Sequence, residues 1–365
     1  MKLRCLVQVY LGAKRIMCLS RLTVVFFFLS MVLPQTVFAV AEYVGSEQCS
    51  GCHMDLYSNW HASGHHQQLR KAEKAQHANL ALPPGYSWGD ISYVIGGVNK
   101  KALFVDQDGY LITSAKNGSK AKTQYNLEDD SWSYYLPGQK KPYDCAYCHT
   151  TGYSPEGHQN GLAGIVGTWE EDGVGCESCH GPGGDHAKTP VIKTSRLELT
   201  AEICEKCHQR GGIDHKPLVG SGLIRHHEQI NELKSGAHKG LSCLNCHNPH
   251  RRAIYARDNC TICHSRLYND FKDSIHGKAE LKCFECHMPR VSQSAISRTS
   301  YMGEVRTHLF KINTDPKANM FMTIDENDKK STFTKGFVTV DFVCLGCHGS
   351  RDKAWAVMNA KGFHK

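Results

Sequence analysis

Outside one recurring pattern, the sequence has almost no cysteine. Sixteen of its 18 cysteines lie in eight copies of Cys-x-x-Cys-His, and the other two, Cys5 and Cys18, lie in the N-terminal leader. The mature chain therefore has no cysteine left for a structural disulfide or a catalytic thiol. Zinc sites, redox disulfides and small stapled domains also use Cys-x-x-Cys, but none of them needs histidine directly after the second cysteine.

The sequence also lacks an apolar run long enough to span a membrane. Residues 22–33 form a run of 12, whereas a spanning helix needs about 20 residues. Positive charges precede this run, and Ala39 and Ala41 follow it at positions that suit signal peptidase. We therefore expect residues 1–41 to be a signal peptide, the protein to be periplasmic or extracellular, and no membrane span to remain. The alternative is a retained N-terminal anchor, for which the run is short.

Little net charge remains once the leader is removed. The formal charge of the whole chain is +8, but the leader holds five lysines and arginines and no acid, which leaves +3. This small excess gives no reason to expect nucleic-acid binding.

The eight Cys-x-x-Cys-His copies predict covalently attached haem c. Two thiols bond one porphyrin, and the following histidine is the first axial ligand of the iron. With 22 histidines in 365 residues, eight matches out of eight by chance have a probability on the order of 10⁻¹⁰. We number the motifs 1 to 8 in chain order and expect eight haems. The motif residues are Cys49, Cys52 and His53; Cys145, Cys148 and His149; Cys176, Cys179 and His180; Cys204, Cys207 and His208; Cys243, Cys246 and His247; Cys260, Cys263 and His264; Cys283, Cys286 and His287; and Cys344, Cys347 and His348.

About 41 residues of mature chain are available per haem, too few for an ordinary core around each one. The predicted fold class is a multihaem cytochrome c: mainly short α-helices and coil wrapped around eight covalent haems, with a small β insert. The predicted segments are the signal peptide (1–41), a first haem segment (42–70), a non-haem insert with short β-strands (71–144), haems 2 to 7 (145–312) and a C-terminal segment with haem 8 (313–365).

Local patterns add detail to this division. We expect a helix that continues from motif 1 past Trp60, and strands at 92–95, 102–105 and 110–113 with a turn at Asp108-Gly109. Further expectations are helices at 71–82 and 223–233, loops at 150–169 and 313–336, and a strand at 336–343.

The residues after motif 1 carry a family resemblance. Trp60, Ser63 and His65 form Trp-x-x-Ser-x-His, which resembles the multihaem cytochromes that include hydroxylamine oxidoreductase, its tetrahaem electron acceptor, pentahaem nitrite reductase and the octahaem reductases. The resemblance implies that His65 is a distal ligand, on the face of a neighbouring haem opposite its motif histidine. The Gly-Pro-Gly-x-x-His arrangement that ends at His186 implies the same role for His186. So does His308, in the segment that follows Cys-His-Met-Pro and resembles nitrite reductases and decahaem conduits. The resemblance does not cover residues 71–144.

Fourteen histidines lie outside the motifs, and eight would complete bis-histidine ligation at every iron. His238 and His276 shortly precede motifs, and His250 shortly follows one. The adjacent His226 and His227 point about 100° apart on a helix, so they would serve two irons. The predicted distal ligands are His65, His186, His226, His227, His238, His250, His276 and His308. We assign His61, His66, His77, His158, His215 and His364 to other roles.

Six-coordinate haem has no vacant position, so it carries electrons and binds no substrate. The preferred hypothesis is thus a secreted octahaem electron carrier of anaerobic or extracellular respiration, with no catalytic residues. Its partners would be other cytochromes or a quinol-oxidising membrane complex, with self-association as a further option. One alternative is an octahaem reductase of nitrite, hydroxylamine or tetrathionate at one open haem, although pentahaem nitrite reductases commonly have lysine where all eight motifs here have histidine. A second alternative is a subunit of a cytochrome filament, which the insert motivates.

Overall fold

A computed structural model of the protein describes residues 42–194, 200–209, 216–225, 228–252, 256, 260–294, 296–326 and 329–364. The predicted signal peptide, His215, His226 and His227 lie outside these residues. In the part of the chain that is described, no helix has the length and apolar character needed to cross a membrane.

Short helices carry most of the motifs. The longest, α1, contains motif 1 and buries Trp60, as the sequence predicts, and it is also kinked at His53. The helices of the described residues are α1 (Ser46–His61), α2 (Ala72–Ala75), α3 (Ala146–His149), α4 (Cys176–His180), α5 (Gly184–Lys188), α6 (Ala201–Glu205), α7 (Gln229–Ser235), α8 (Cys260–Cys263), α9 (Ser265–Lys272), α10 (Ile275–Lys278), α11 (Cys283–His287), α12 (Val340–Cys344) and α13 (Lys353–Ala360).

The predicted β insert contains a seven-stranded antiparallel sheet with the order β1-β2-β3-β4-β7, in which β5 pairs with β3 and β6. The turn predicted before β4 is present, with Gly109 at φ 90°. The strands are β1 (Leu69–Lys71), β2 (Ile91–Gly96), β3 (Lys101–Asp106), β4 (Tyr110–Leu111), β5 (Gln124–Asn126), β6 (Ser131–Ser133), β7 (Lys141–Pro142), β8 (Thr150–Thr151), β9 (Glu171–Asp172), β10 (Val219–Gly220), β11 (Leu223–Arg225), β12 (Ser292–Gln293), β13 (Ile312–Asn313), β14 (Phe321–Glu326), β15 (Lys329–Thr334) and β16 (Val338–Thr339).

Both faces of this sheet are covered, which explains the almost continuous apolar runs of β2 and β3. Side chains alternate along a strand, so Tyr93 and Ile95 pack on one face and Val94 on the other. The first face also contacts Ala146 of motif 2. The insert is therefore packed against the second haem motif.

The secondary structure predicted for two segments is wrong. Residues 223–233 do not form one helix: β11 ends at Arg225, and α7 begins at Gln229. Residues 313–336 are not simply a loop, because β14 and β15 pair as an antiparallel hairpin. The polarity of this segment suggested a loop, but a solvated hairpin tolerates polar residues on its outer face.

Two other predicted elements are shorter than expected. The helix expected at 71–82 ends early, in a 3₁₀ turn that stops where Asn79 adopts φ 52°. The strand expected at 336–343 is limited to β16, after which the chain enters α12 and motif 8.

Candidate haem sites

Each motif forms about one helical turn. In motif 4, the backbone N–H of His208 donates to the carbonyl of Cys204 at 2.9 Å, and His247 and His348 make the corresponding bonds in motifs 5 and 8, at 2.8 and 2.9 Å. Residues three apart lie on the same side of such a turn. The two thiols of a motif therefore face one partner, with the histidine ring beside them.

Among the residues that the structure describes, seven motif histidines lie opposite a histidine that belongs to no motif. The distance between ring centroids falls in a narrow range, whereas the angle between the ring planes varies from 5° to 87°. The pairs are His53 with His186 (6.3 Å), His180 with His250 (6.1 Å), His208 with His65 (6.3 Å), His247 with His308 (6.1 Å), His264 with His238 (6.0 Å), His287 with His364 (5.7 Å) and His348 with His276 (6.2 Å).

This spacing fits an iron with two axial imidazoles. A metal–nitrogen bond of about 2.0 Å, with about 1.1 Å from the nitrogen to its ring centroid, puts two trans imidazole centroids about 6.2 Å apart. Two imidazoles stacked directly on each other would lie much closer, as His61 and His66 do at 4.2 Å. The donor set and its spacing thus suit haem c, which would supply one-electron chemistry at each iron.

Six of the eight predicted distal histidines take part in these pairs: His65, His186, His238, His250, His276 and His308. The other two, His226 and His227, lie outside the described residues. His364 faces His287, although the sequence analysis assigned it elsewhere. It follows motif 8 rather than motif 7, so no local spacing marks it as a partner of His287.

The remaining histidines that the structure describes lie apart from the motif rings. His66 packs on Trp60 with 4.6 Å between ring centroids, and His61 stacks on His66. Nδ1 of His158 is 2.6 Å from the carbonyl oxygen of Ile165, so this side chain ties a loop. His77 lies in the short 3₁₀ turn after α2.

Several paired rings are fixed by a second contact. Nδ1 of His186 lies 2.7 Å from the carbonyl oxygen of Ile192, and Nδ1 of His287 lies 2.9 Å from that of Phe310. A ring that donates from Nδ1 presents the lone pair of Nε2, which is the ligating tautomer. These contacts orient each ring and select the nitrogen that faces its partner.

The protein environment keeps several of these imidazoles neutral. Burial, with a smaller effect of His208, lowers the pKa of His65 to about 4. Burial is also the main cause that lowers the pKa of His208, His247 and His250. Because only neutral imidazole ligates iron, these rings are ready to bind at neutral pH.

Buried polar side chains hold motifs 1 and 3 together. Glu177, inside motif 3, accepts hydrogen bonds from the backbone N–H groups of Val44 and Gly45 at 3.1 and 2.8 Å. Ser46 Oγ accepts from the backbone N–H of Cys176 and donates to Glu171, so the start of α1 is tied to α4. Burial raises the pKa of Glu171. Sequence reasoning missed these carboxylates, since their partners lie more than 120 positions away.

Thiols of different motifs lie close to one another, which shows which motifs are neighbours. The thiols of Cys49 and Cys176 are in contact, which joins motif 1 to motif 3, and motif 3 approaches motif 4 through Cys179. Motif 4 contacts motif 2 through Cys207 and Cys148, and motif 5 through Cys204 and Cys243. Motif 5 lies near motif 6, and motif 7 near motif 8. His238, opposite His264 of motif 6, lies near His287 of motif 7.

A family model and two curated relatives match parts of the chain. The family model described as "Cytochrome c554 and c-prime" matches residues 112–181, which contain motifs 2 and 3. Multiheme cytochrome MtrA of Shewanella baltica is 27% identical over 169 residues, which cover 41% of this chain and 46% of MtrA. Dissimilatory sulfite reductase MccA of Wolinella succinogenes is 25% identical over 271 residues, which cover 58% of this chain and 36% of MccA. The chain spans less than half of the length of both relatives.

Three solved structures share the fold. The outer cell wall cytochrome OcwA matches with a TM-score of 0.61 and 19% identity, over 87% of this chain and 86% of OcwA. The octaheme sulfite reductase MccA of Wolinella succinogenes gives 0.62 and 20%, over 84% and 65%. An undecaheme cytochrome from the S-layer of Carboxydothermus ferrireducens gives 0.53 and 18%, over 93% and 63%. With these matches, the motif turns and the paired imidazoles, the chain is a multihaem c-type cytochrome with covalently attached haem c.

Proposed function

We propose that the protein carries electrons along eight haem c groups, most or all of which have two histidine ligands. The observation that carries this proposal is the set of seven imidazole pairs at 5.7–6.3 Å. An iron between two imidazoles changes charge without binding a substrate. The thioether residues are the sixteen motif cysteines, and the axial ligands are the eight motif histidines with the seven histidines that face them. For motif 2, His226 and His227 stay the proposed candidates.

The order of the motifs supports a conducting path. Thiols meet between motifs 1 and 3, 4 and 5, and 4 and 2, and motif 3 lies near motif 4, motif 5 near motif 6, motif 6 near motif 7 and motif 7 near motif 8. Electrons would therefore enter or leave at three places: the haems of motifs 1, 2 and 8.

The proposed setting is anaerobic or extracellular respiration, in the periplasm or at the cell surface. The names of the relatives point that way, since OcwA is an outer cell wall cytochrome and the undecaheme cytochrome comes from an S-layer. The proposed partners are other redox proteins, either cytochromes or a quinol-oxidising complex. Assembly into a filament stays a prediction, which electron microscopy of the secreted protein would test.

Two measurements test the carrier function. The mass and haem content of the purified protein should give eight haems per chain, and EPR of the oxidised protein should show low-spin ferric iron throughout. Fewer haems would overturn the proposed architecture. A full haem complement with a large high-spin fraction would instead point to an open iron and against a pure carrier.

The likeness to MccA in sequence and fold favours a second candidate, reduction of a small sulfur or nitrogen oxyanion at one haem. Reduced dye with sulfite, nitrite, hydroxylamine or tetrathionate tests it directly. Turnover of any of the four would support the reductase, whereas inactivity towards all of them would leave the carrier.

A further inference from the structure

We propose that the haem of motif 7 is a ligand-exchange site, at which His364 leaves its place and a small iron ligand such as cyanide or imidazole takes it. This inference rests on the bis-histidine ligation proposed above. It adds a binding site to a protein that otherwise only conducts.

The two histidines of this pair are held very differently. Nδ1 of His287 lies 2.9 Å from the carbonyl oxygen of Phe310, which is a firm backbone anchor. His364 is exposed, and its one hydrogen-bond-range contact among the described residues is Nε2 to Nε2 of His287, at 3.5 Å. The side of the iron that faces His364 is therefore the side that can open.

The segment that carries His364 has few attachments. After α13 the backbone is extended at Lys361, and Gly362 adopts φ 71°. Within the described residues, no hydrogen bond joins residues 361–364 to another element apart from the histidine contact. Phe363 provides the remaining anchor, through ring contacts with Phe271 at 6.3 Å and His276 at 5.2 Å.

The backbones of two other proposed distal histidines, His308 and His65, are hydrogen-bonded to distant parts of the chain. The backbone N–H of His308 donates to the buried Glu232 at 2.6 Å. The carbonyl of His65 accepts from the backbone N–H of Val174 at 3.0 Å. These bonds hold the backbone of both histidines in place, so either ring can leave only by rotation of its side chain. The whole segment that carries His364 can instead move once one aromatic anchor is broken, and its side chain is already near solvent.

Helix α13 itself would not move with the segment. Trp355 packs on His348 with 4.9 Å between ring centroids, and the helix N-terminus is capped by Asp352, which accepts from the backbone N–H of Trp355 at 2.8 Å. Motion can therefore be confined to residues 361–364. Their turn at Gly362 lets His364 swing out without disturbing the haem of motif 8.

Cyanide binding to the oxidised holoprotein tests the proposal. We expect wild type to take up about one cyanide per chain, and Phe363→Ala to speed this uptake about tenfold because the aromatic anchor is lost. Met358→Ala, an exposed change on α13, should leave the rate unchanged. His364→Ala should turn about one-eighth of the iron high-spin, since one of eight haems loses a ligand.

The outcomes distinguish the proposed ligation by His364 at motif 7 from the proposed exchange of that ligand. If His364→Ala creates no high-spin iron, His364 is not a ligand and the ligation proposed for motif 7 fails. If it does, but wild type binds no cyanide or Phe363→Ala has no effect, only ligand exchange fails. Because Phe363 also touches His276, the double variant Phe363→Ala/His364→Ala is needed: one cyanide per chain supports the proposal, and two would place the effect at motif 8 instead.

Discussion

Glu232 and His308 form a buried carboxylate–histidine pair. Oε2 of Glu232 accepts a hydrogen bond from the backbone N–H of His308 at 2.6 Å and lies 3.6 Å from its Nδ1. Oε1 accepts from Ser292 Oγ at 3.0 Å, and the Glu232 side chain is 2% exposed. A carboxylate beside a ligating imidazole increases its basicity and stabilises the oxidised metal. In the proposed ligation, Glu232 would therefore hold the backbone of the histidine that faces His247 and tune the haem of motif 5 through its charge.

Replacing this carboxylate should raise one reduction potential. Glu232→Gln removes a negative charge but keeps one oxygen that can accept from the backbone N–H of His308, while its amide NH2 group can donate to Ser292 Oγ. We expect the potential of the motif 5 haem to rise by about 60 mV, a tenfold change in a one-electron equilibrium. Spectroelectrochemical titration with EPR at each potential would measure it. The exposed substitution Glu73→Gln is the control, and equal titration curves for both variants would contradict the tuning role.

His186, which the family resemblance implies is a distal ligand, gives a second test. His186→Ala should leave His53 as the sole axial ligand of the motif 1 haem, so about one-eighth of the iron should become high-spin. The visible spectrum and EPR of the oxidised protein measure that fraction. His77→Ala is the matched control, because His77 faces no motif histidine. A fully low-spin His186→Ala protein would remove His186 from the ligand set.

Much of the site could be read from the sequence, because haem attachment uses contiguous residues. The five-residue motifs locate both thiols and the expected first ligand, spacing near the motifs points to His238, His250 and His276, and the family resemblance points to His65 and His186. His364 could not be found in this way. It reaches His287 only because α13 packs beside motif 8 and returns the chain to motif 7, a contact between positions 77 apart.

The polar side chains that support the haem motifs could not be identified from the sequence either. Glu177 looks like a variable residue inside a motif, yet it accepts from Gly45 and from Gly183. The hairpin β14–β15 was missed because its strands alternate polar residues, which sequence polarity alone assigns to a loop. In both cases, pairing between distant or solvated backbone groups decided the structure.

Gly173 gives a prediction about close backbone approach. It adopts φ 79°, and a Cβ at this position would lie 2.4 Å from the carbonyl oxygen of His66. Gly173→Ala should destabilise the protein by about 2–4 kcal/mol and disturb the hydrogen bond from Val174 to His65, so the motif 4 haem should gain high-spin character. Thermal unfolding and EPR would show both effects.

Gly118→Ala separates the two causes of the expected destabilisation, which are backbone strain at positive φ and the close contact with His66. Gly118 has φ 82°, but no atom lies within 4 Å of the position that an added methyl group would take. This variant should therefore cost only about 1 kcal/mol, from backbone strain. Equal losses in both variants would mean that the contact with His66 is unimportant.

Glu128 links the β insert to the segment after motif 7. Its carboxylate pairs with Lys100 at 2.6 Å and with Arg290 and Arg298 at 2.9 Å each. Partial burial raises the pKa of Glu128, but the three cations outweigh this effect, so the pKa lies below its ordinary value of 4.5. The stabilisation is thus complete above pH 4.5 and is lost as the pH falls through the lower value of the folded protein.

Glu128→Gln should therefore loosen the insert at neutral pH by about 1 kcal/mol, since three cations then face one another without a carboxylate. Hydrogen exchange of residues 97–130 at low ionic strength would measure the free energy of local opening. The difference from wild type should shrink in high salt and disappear in acid, once Glu128 of the wild type is protonated and as uncharged as the glutamine of the variant. Asp129→Asn, a charge change at the adjacent exposed position, should open the insert much less. If both variants exchange equally fast, net charge rather than this cluster holds the insert in place.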